Sequence, residues 1–335
     1  MCKIALEAPV LAASRRGQLD VRLVVRIAQL YYRLHLSQEQ IGERLGISRF
    51  KVGRLLDRAV AEEIVRIEIV HPAARLIELE DRLIERFGLV GAAVADVPAA
   101  DGATAAEADD LARDAVADAA ADLLAKHHPT GTIGVSWGRT MLAVAKALPK
   151  RWTVATEIVQ LNGAASRSAQ PTRANEILER FAETTGAGYH LFNAPAIVGS
   201  AELATALRDD AAIRDTLDAA RAAHTAVFGL GIPAADSPHL SSGFVTPDEQ
   251  AALRANGAVG DVVGRFLRED GSVAWPELDA RTVGLSLDDL RRTPLRVGVA
   301  SGAGRGPVTL AALRADLVNV LACDDTTAEW VLAHD

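Results

Sequence analysis

Three short stretches carry residues able to do chemistry. Ser136-Trp137-Gly138-Arg139-Thr140 runs from an apolar strand into a helix. A glycine turn, a hydroxyl and a helix N-terminus together make a small anion site, to which Arg139 adds charge. Ser301-Gly302-Ala303-Gly304-Arg305-Gly306, followed by a helix, a strand and Asp324, outlines a dinucleotide-binding unit. Its third glycine falls one position early and Pro307 stands in the proper place, so no nicotinamide or flavin cofactor is expected. His127 and His128 are adjacent but lack a third ligand at metal-binding spacing, and they read as a solvated helix end. Neither a nucleophile elbow nor a P-loop occurs. Only five lysines are present, so few could form a Schiff base. The loops of the second half offer as possible bases only Glu157 and Asp261, the latter equally suited to accepting hydrogen bonds from hydroxyls.

The third stretch is basic. In LSQEQIGERLGISRFKVGRLLDRAV, Ser37 is a good N-cap with Gln40 in the capping-box position. Ile41 and Leu45 lie four apart, Gly46 suits a tight turn, and Ser48 can cap the next helix. On that helix Val52, Leu55 and Leu56 face inward and leave Arg49, Phe50, Lys51, Arg54 and Arg58 for another surface. This spacing matches the DNA-binding helix-turn-helix, except that Gly42 stands where alanine is usual. The second helix should enter the major groove, Arg49 and Lys51 donating to guanine, Arg54 and Arg58 to phosphates. Ser37 and Gln38 on the first helix, with Ser48 and Phe50, complete the expected DNA-contacting set.

Elements that must hold these groups follow from the apolar pattern. Residues 21–33 have helical spacing and open the helix-turn-helix. Residues 63–70 alternate as a strand, the wing of a winged helix. Residues 73–88 place Leu76, Leu79, Leu83 and Phe87 on one stripe, barely two heptads long, which reads better as a linker helix packing onto the second domain than as a dimerising coil. From residue 89 short apolar strands (92–97, 132–137, 156–161, 189–192, 225–231, 295–300, 317–322) alternate with helices (103–126, 140–148, 174–185, 200–222, 307–315). Such alternation implies a doubly wound, mainly parallel α/β domain, with ligands beyond the carboxyl ends of its strands. The expected division is an extension over 1–19, the helix-turn-helix over 20–71, a linker helix over 72–88 and an effector domain over 89–335.

Composition agrees with that division. The chain of 335 residues has 49% apolar and 24% charged residues, an ordinary globular mixture. Its net charge is −8, yet residues 15–71 hold 11 Arg and Lys against 7 Asp and Glu, leaving −12 for everything after residue 71. A basic module on an acidic body is the asymmetry expected when one end meets phosphate backbone. Cys2 and Cys323 cannot build a disulfide framework, and no apolar run approaches the ~18 residues of a membrane helix. The faint signal-peptide outline of Ile4–Ala13 is broken by Glu7 and Pro9, so a cytoplasmic protein without membrane partners is expected.

Eight blocks, in order, resemble the SorC family of bacterial sugar-responsive transcriptional regulators: SQEQIGERLGISRFKVGRLL, GTIGVSWGRTM, QLNGA, RANEI, NAPAI, FGLGI, GAVGDVVGRFLREDG and LVNVLACDDTTA. The resemblance implies an effector domain with the fold of sugar-phosphate isomerases and deaminases, dimers or tetramers, and binding to operator DNA controlled by a sugar or sugar phosphate. It assigns Gly138, Arg139 and Thr140 to a phosphate-contacting turn, and Asn162 and Gly163 to the effector mouth. Arg173 stands where some members have Gln, Asn175 matches, and Asp261 matches an acidic position that contacts sugar hydroxyls. Ser301 and Gly302 replace a Gly pair, and Arg305 takes a lysine position, keeping charge but changing reach. The rival expectation is a sugar-phosphate isomerase or deaminase with an accessory helix-turn-helix. No cofactor or catalytic residue is expected of the regulator.

Overall fold

The computed structural model describes residues 21–65, 76–97, 102–165, 172–233 and 237–335. The chain divides into two compact units, Met1–His71 and Pro72–Asp335.

In the first unit, residues 21–28 form α1, which widens into a π-helical turn, Gln29–Arg33. Then come α2 (Gln38–Leu45) and α3 (Arg49–Ala61). Val24, Ile27, Leu30, Ile41, Val52, Leu55, Leu56 and Ala59 make its core, the residues that helical spacing puts on one face. Residues 63–65 are irregular, and the rest of the strand expected over 63–70 lies outside the described residues.

The second unit opens with α4 (Ile77–Phe87), followed by β1 (Gly91–Ala95), α5 (Ala105–His127), β2 (Gly131–Val135), α6 (Arg139–Ala147), β3 (Ala155–Gln160), α7 (Ala174–Thr185) and β4 (Gly188–His190). After these come α8 (Ala201–Asp209), α9 (Ala211–Arg221), β5 (Thr225–Gly231), α10 (Pro238–Ser241), α11 (Pro247–Ala255), β6 (Gly260–Val262), β7 (Arg265–Leu267), α12 (Pro276–Ala280) and α13 (Leu287–Arg292). The chain ends with β8 (Leu295–Ala300), α14 (Gly306–Arg314), β9 (Val320–Asp324) and α15 (Asp325–His334).

Seven strands lie in the order β1-β9-β8-β5-β2-β3-β4, every neighbouring pair parallel. β6 adds antiparallel to the end of β5, and β7 to β6. The central strands read as unbroken apolar runs because helices cover both faces. Along β5, Val227 enters one core with α5, α6 and α7, while Ala226, Phe228 and Leu230 enter the other with α9, α14 and α15. α4 packs onto this second core through Leu83, as the sequence led us to expect, and its Glu80 carboxylate accepts the Val94 N–H at 3.0 Å on edge strand β1. A buried edge is thereby satisfied rather than left open.

Two local differences have physical reasons. The single helix expected over 200–222 is two, because Asp210 has extended ψ and accepts the Ala212 N–H, ending α8 and capping α9. The β6–β7 hairpin was not anticipated. Its two-residue turn is Val263-Gly264, both at positive φ, and a β-branched residue conceals the usual Asn-Gly or Asp-Gly signal.

Candidate functional site

The helix-turn-helix is built as its spacing requires. Ser37 and Gln40 form a complete capping box on α2. Gly46 turns the chain at φ +66°, and Ser48 Oγ accepts the Lys51 N–H at 3.3 Å to start α3. A Cβ on Gly42 would lie 2.6 Å from the Ile47 carbonyl oxygen, so glycine lets the turn approach α2 more closely than alanine would. Arg49, Phe50, Lys51 and Arg54 are exposed. Phe50 is 71% exposed, with the Arg49 guanidinium 4.9 Å from its ring centre. Arg58 is half-buried and pairs with Glu62 at 2.7 Å, so it reaches a phosphate only by leaving that pair. Gln38 packs beside Gly53 on α3.

In the second unit the order of strand addition reverses between the parallel strands β2 and β5: the chain runs from β2 to β3 and β4 on one side, and from β5 to β8 and β9 on the other. Such a reversal opens a crevice beyond the carboxyl ends of the two strands. A cavity of about 140 Å³ lies there. The loop after β2 supplies Ser136 to Thr140, the end of β5 supplies Gly229 to Ile232, and α5 supplies Asp109 and Arg113. Asn162, Ser237, His239, Asp261, Gly264 and Arg305 complete the wall.

One group of residues at the cavity offers donors. Gly138 precedes α6 at φ 137°, ψ 167°, a conformation essentially confined to glycine, and no side chain caps the helix. Arg139 is the first residue of this helix and brings its positive charge to the turn. Thr140 Oγ1 and Ser301 Oγ lie 3.1 Å apart, tying this helix to the loop after β8. That loop is held by two carboxylates: Asp324 accepts the Gly302 N–H at 2.7 Å and Asp109 the Ala303 N–H at 3.3 Å. Burial is the largest influence on Arg305 and pulls its guanidinium below the ordinary value, with Arg139 acting in the same sense. Asp109, Asp261 and Asp324 oppose them.

A second group offers acceptors. Asp261 is 6% exposed, and its Oδ2 meets His239 Nε2 and the Gly264 N–H, each at 3.1 Å. A Cβ on Gly231 would lie 2.1 Å from Asp261 Oδ1, so glycine is needed where β5 pairs with β6. The Asn162 backbone bridges to Gly284, and Arg265, buried against Leu285 O and Asp279, fixes that segment.

The Sugar-bind family model, a sugar-binding domain, matches residues 71–333. The full-length sorbitol operon regulator SorC from Klebsiella pneumoniae superposes with a TM-score of 0.67 at 27% identity, over 93% of this chain and 99% of that one. The chain belongs to the SorC family of sugar-binding transcriptional regulators. A deoxyribonucleoside regulator from Bacillus subtilis is 31% identical over 92% of this chain and 96% of its own. The transcriptional regulator LsrR from Klebsiella pneumoniae is 34% identical over 94% of each. These relatives are regulators rather than enzymes, and so is this SorC-family chain. No helix among the described residues is long and apolar enough to cross a membrane.

Within this SorC-family chain, Gly138, Arg139, Thr140, Asn162, Asp261 and Arg305 come together around one cavity. Arg173 and Asn175 do not. Arg173 takes a left-handed conformation before α7 and turns its guanidinium to Glu176 at 2.9 Å, and both residues are exposed away from the wall. Gly163 stands behind the wall, where its carbonyl accepts the Trp137 indole N–H at 2.9 Å. A Cβ there would lie 2.5 Å from the Ala194 and Pro195 carbonyl oxygens. Gly163→Ala should therefore cost about 1–3 kcal/mol through overpacking, read as a lowered denaturation midpoint; an unchanged midpoint would show that these segments move apart freely. Asp109 on α5, Ser237 before α10 and His239 on α10 join that wall with no common motif in the sequence to mark them.

Proposed function

We propose that this regulator binds operator DNA through α3 as a homo-oligomer, and that a sugar or sugar phosphate in the cavity of the second unit changes its affinity for DNA. The observation that carries the effector half is the mixed chemistry of the residues around the cavity. An uncapped helix N-terminus, Arg139 and Arg305 suit an anionic group, while Asp261 and Asn162 suit hydroxyls. The DNA half rests on the exposed Arg49, Phe50, Lys51 and Arg54 of a capped second helix. A ligand can act as a switch only to the extent that it binds one arrangement of the protein better than another.

The first test is thermal stability against sugars, polyols, sugar acids and sugar phosphates. A ligand at a hundred times its Kd should stabilise by about 2.7 kcal/mol, a clear rise in Tm. A rise confined to phosphorylated members would assign Arg139 and Arg305 to phosphate. The absence of any rise across the panel would overturn the effector half of the proposal.

A further inference from the structure

Two buried side chains of the cavity wall are incompletely satisfied. His239 is 6% exposed and lines the cavity; its Nε2 is committed to Asp261 Oδ2, and its Nδ1 is buried without a hydrogen-bond partner. Asn162 also lines the cavity, and its Oδ1 is buried in the same condition. The two flank one stretch of backbone: a Cβ on Gly264 would lie 3.5 Å from His239 Cε1 and 3.9 Å from Asn162 Nδ2. A carboxylate can only accept, so Nε2 carries the proton, and in the neutral ring Nδ1 is then a bare acceptor. Rotation offers the ring no escape. It stands edge-on to Trp137 and Phe266, with centroids at 5.1 and 5.5 Å, and turning it over would break the Asp261 bond.

Resting on the effector reading above, we propose that His239 is a specificity-determining residue of the site, its Nδ1 accepting a hydroxyl of the bound sugar beside one accepted by Asn162 Oδ1. A buried acceptor with no partner is a standing cost, and a ligand that donates to it removes that cost. A ligand lacking the hydroxyl fills the same space but leaves the cost in place, which is how a polar site rejects a deoxy analogue. The ligand class is accordingly a sugar with an anionic group at one end and neighbouring hydroxyls at the other. Asp261 is the positioning residue that fixes the histidine tautomer.

The two ring nitrogens can be tested separately on the full chain. His239→Gln places an amide near the Nε2 position, preserving a donor to Asp261 while deleting Nδ1. His239→Asn places an amide oxygen near Nδ1 and gives up the Asp261 bond. Affinities are measured by calorimetry for inorganic phosphate and for matched sugar phosphates, such as ribose 5-phosphate and glucose 6-phosphate with their single-deoxy analogues. Wild type should prefer the hydroxylated member of at least one pair by about 5- to 100-fold. His239→Gln should bring that ratio close to one without altering phosphate affinity, and His239→Asn should keep part of it. If His239→Gln fails to fold, the wild-type ¹⁵N resonance of His239 Nδ1 decides: it should move with the preferred sugar phosphate and stay still with inorganic phosphate. An unchanged ratio in His239→Gln, no preference in wild type, or an Nδ1 resonance indifferent to the sugar overturns the role of His239 while leaving the effector reading intact. Failure of every panel member to bind overturns both.

Discussion

Removing both cavity guanidiniums, Arg139→Ala with Arg305→Ala, should weaken binding of an anionic sugar by roughly 100- to 10,000-fold. Each charge-assisted hydrogen bond contributes about 1.5–3 kcal/mol, and the two groups approach the cavity from different loops. Arg305 is the more consequential of the pair because it is half-buried and held among Asp109, Asp261 and Asp324. Removing it also leaves those carboxylates with less compensation, so a neutral polyol should lose far less affinity than a sugar phosphate. Calorimetry with both ligand types checks this. Equal losses for neutral and anionic ligands would mean that the arginines shape the cavity rather than bind the charge. DNA binding without effector should be unaffected in the double variant.

On the DNA side, Arg49→Ala with Lys51→Ala should weaken binding to a selected operator by about 2–6 kcal/mol, because each base-edge contact is worth about 1–3 kcal/mol. Both side chains are exposed in the first turn of α3, the part of a recognition helix that meets base edges. The loss should be largest on the operator and small on unrelated DNA. Arg54→Ala, farther along the helix, should weaken both and lower the slope of log K against log salt by about one. Filter binding on operator and scrambled duplexes over a salt series separates the two effects. Equal losses on both duplexes would return Arg49 and Lys51 to the phosphate-binding set.

Legibility in the sequence tracked how local the determining interactions are. The α7 helix could be read to the residue, from Ala174 to Thr185, because its apolar spacing and the glycine after it are contiguous. The parallel strands β2, β5 and β8 announced themselves as apolar runs buried on both faces. By contrast, β6 and β7 are three residues each, joined by Val263 in a conformation that a valine rarely takes, and nothing nearby in the sequence marks them. The same rule divides the site. The Trp137-Gly138-Arg139-Thr140 turn is one strand-to-helix junction, so its anion-binding chemistry is visible in four letters. The His239–Asp261 pair spans 22 residues and Asp109 meets Ala303 across 194, so folding alone brings these groups together. Arg173 shows the converse: it follows Asn162 and Gly163 closely in sequence, but its own salt bridge to Glu176 directs its guanidinium along α7.

The proposed function requires the two units to be coupled, so that a ligand held at the crevice between β2 and β5 alters what α3 does on DNA. The most direct measurement is operator affinity by fluorescence anisotropy, with and without the sugar that most raises Tm, at fixed salt. The sugar should change Kd by about 5- to 150-fold, the usual range of coupling between two sites, and Arg139→Ala with Arg305→Ala should abolish the change. Operator affinity that stays the same while calorimetry shows the cavity saturated would contradict that coupling, leaving a DNA-binding protein and a sugar-binding protein joined in one chain without communication.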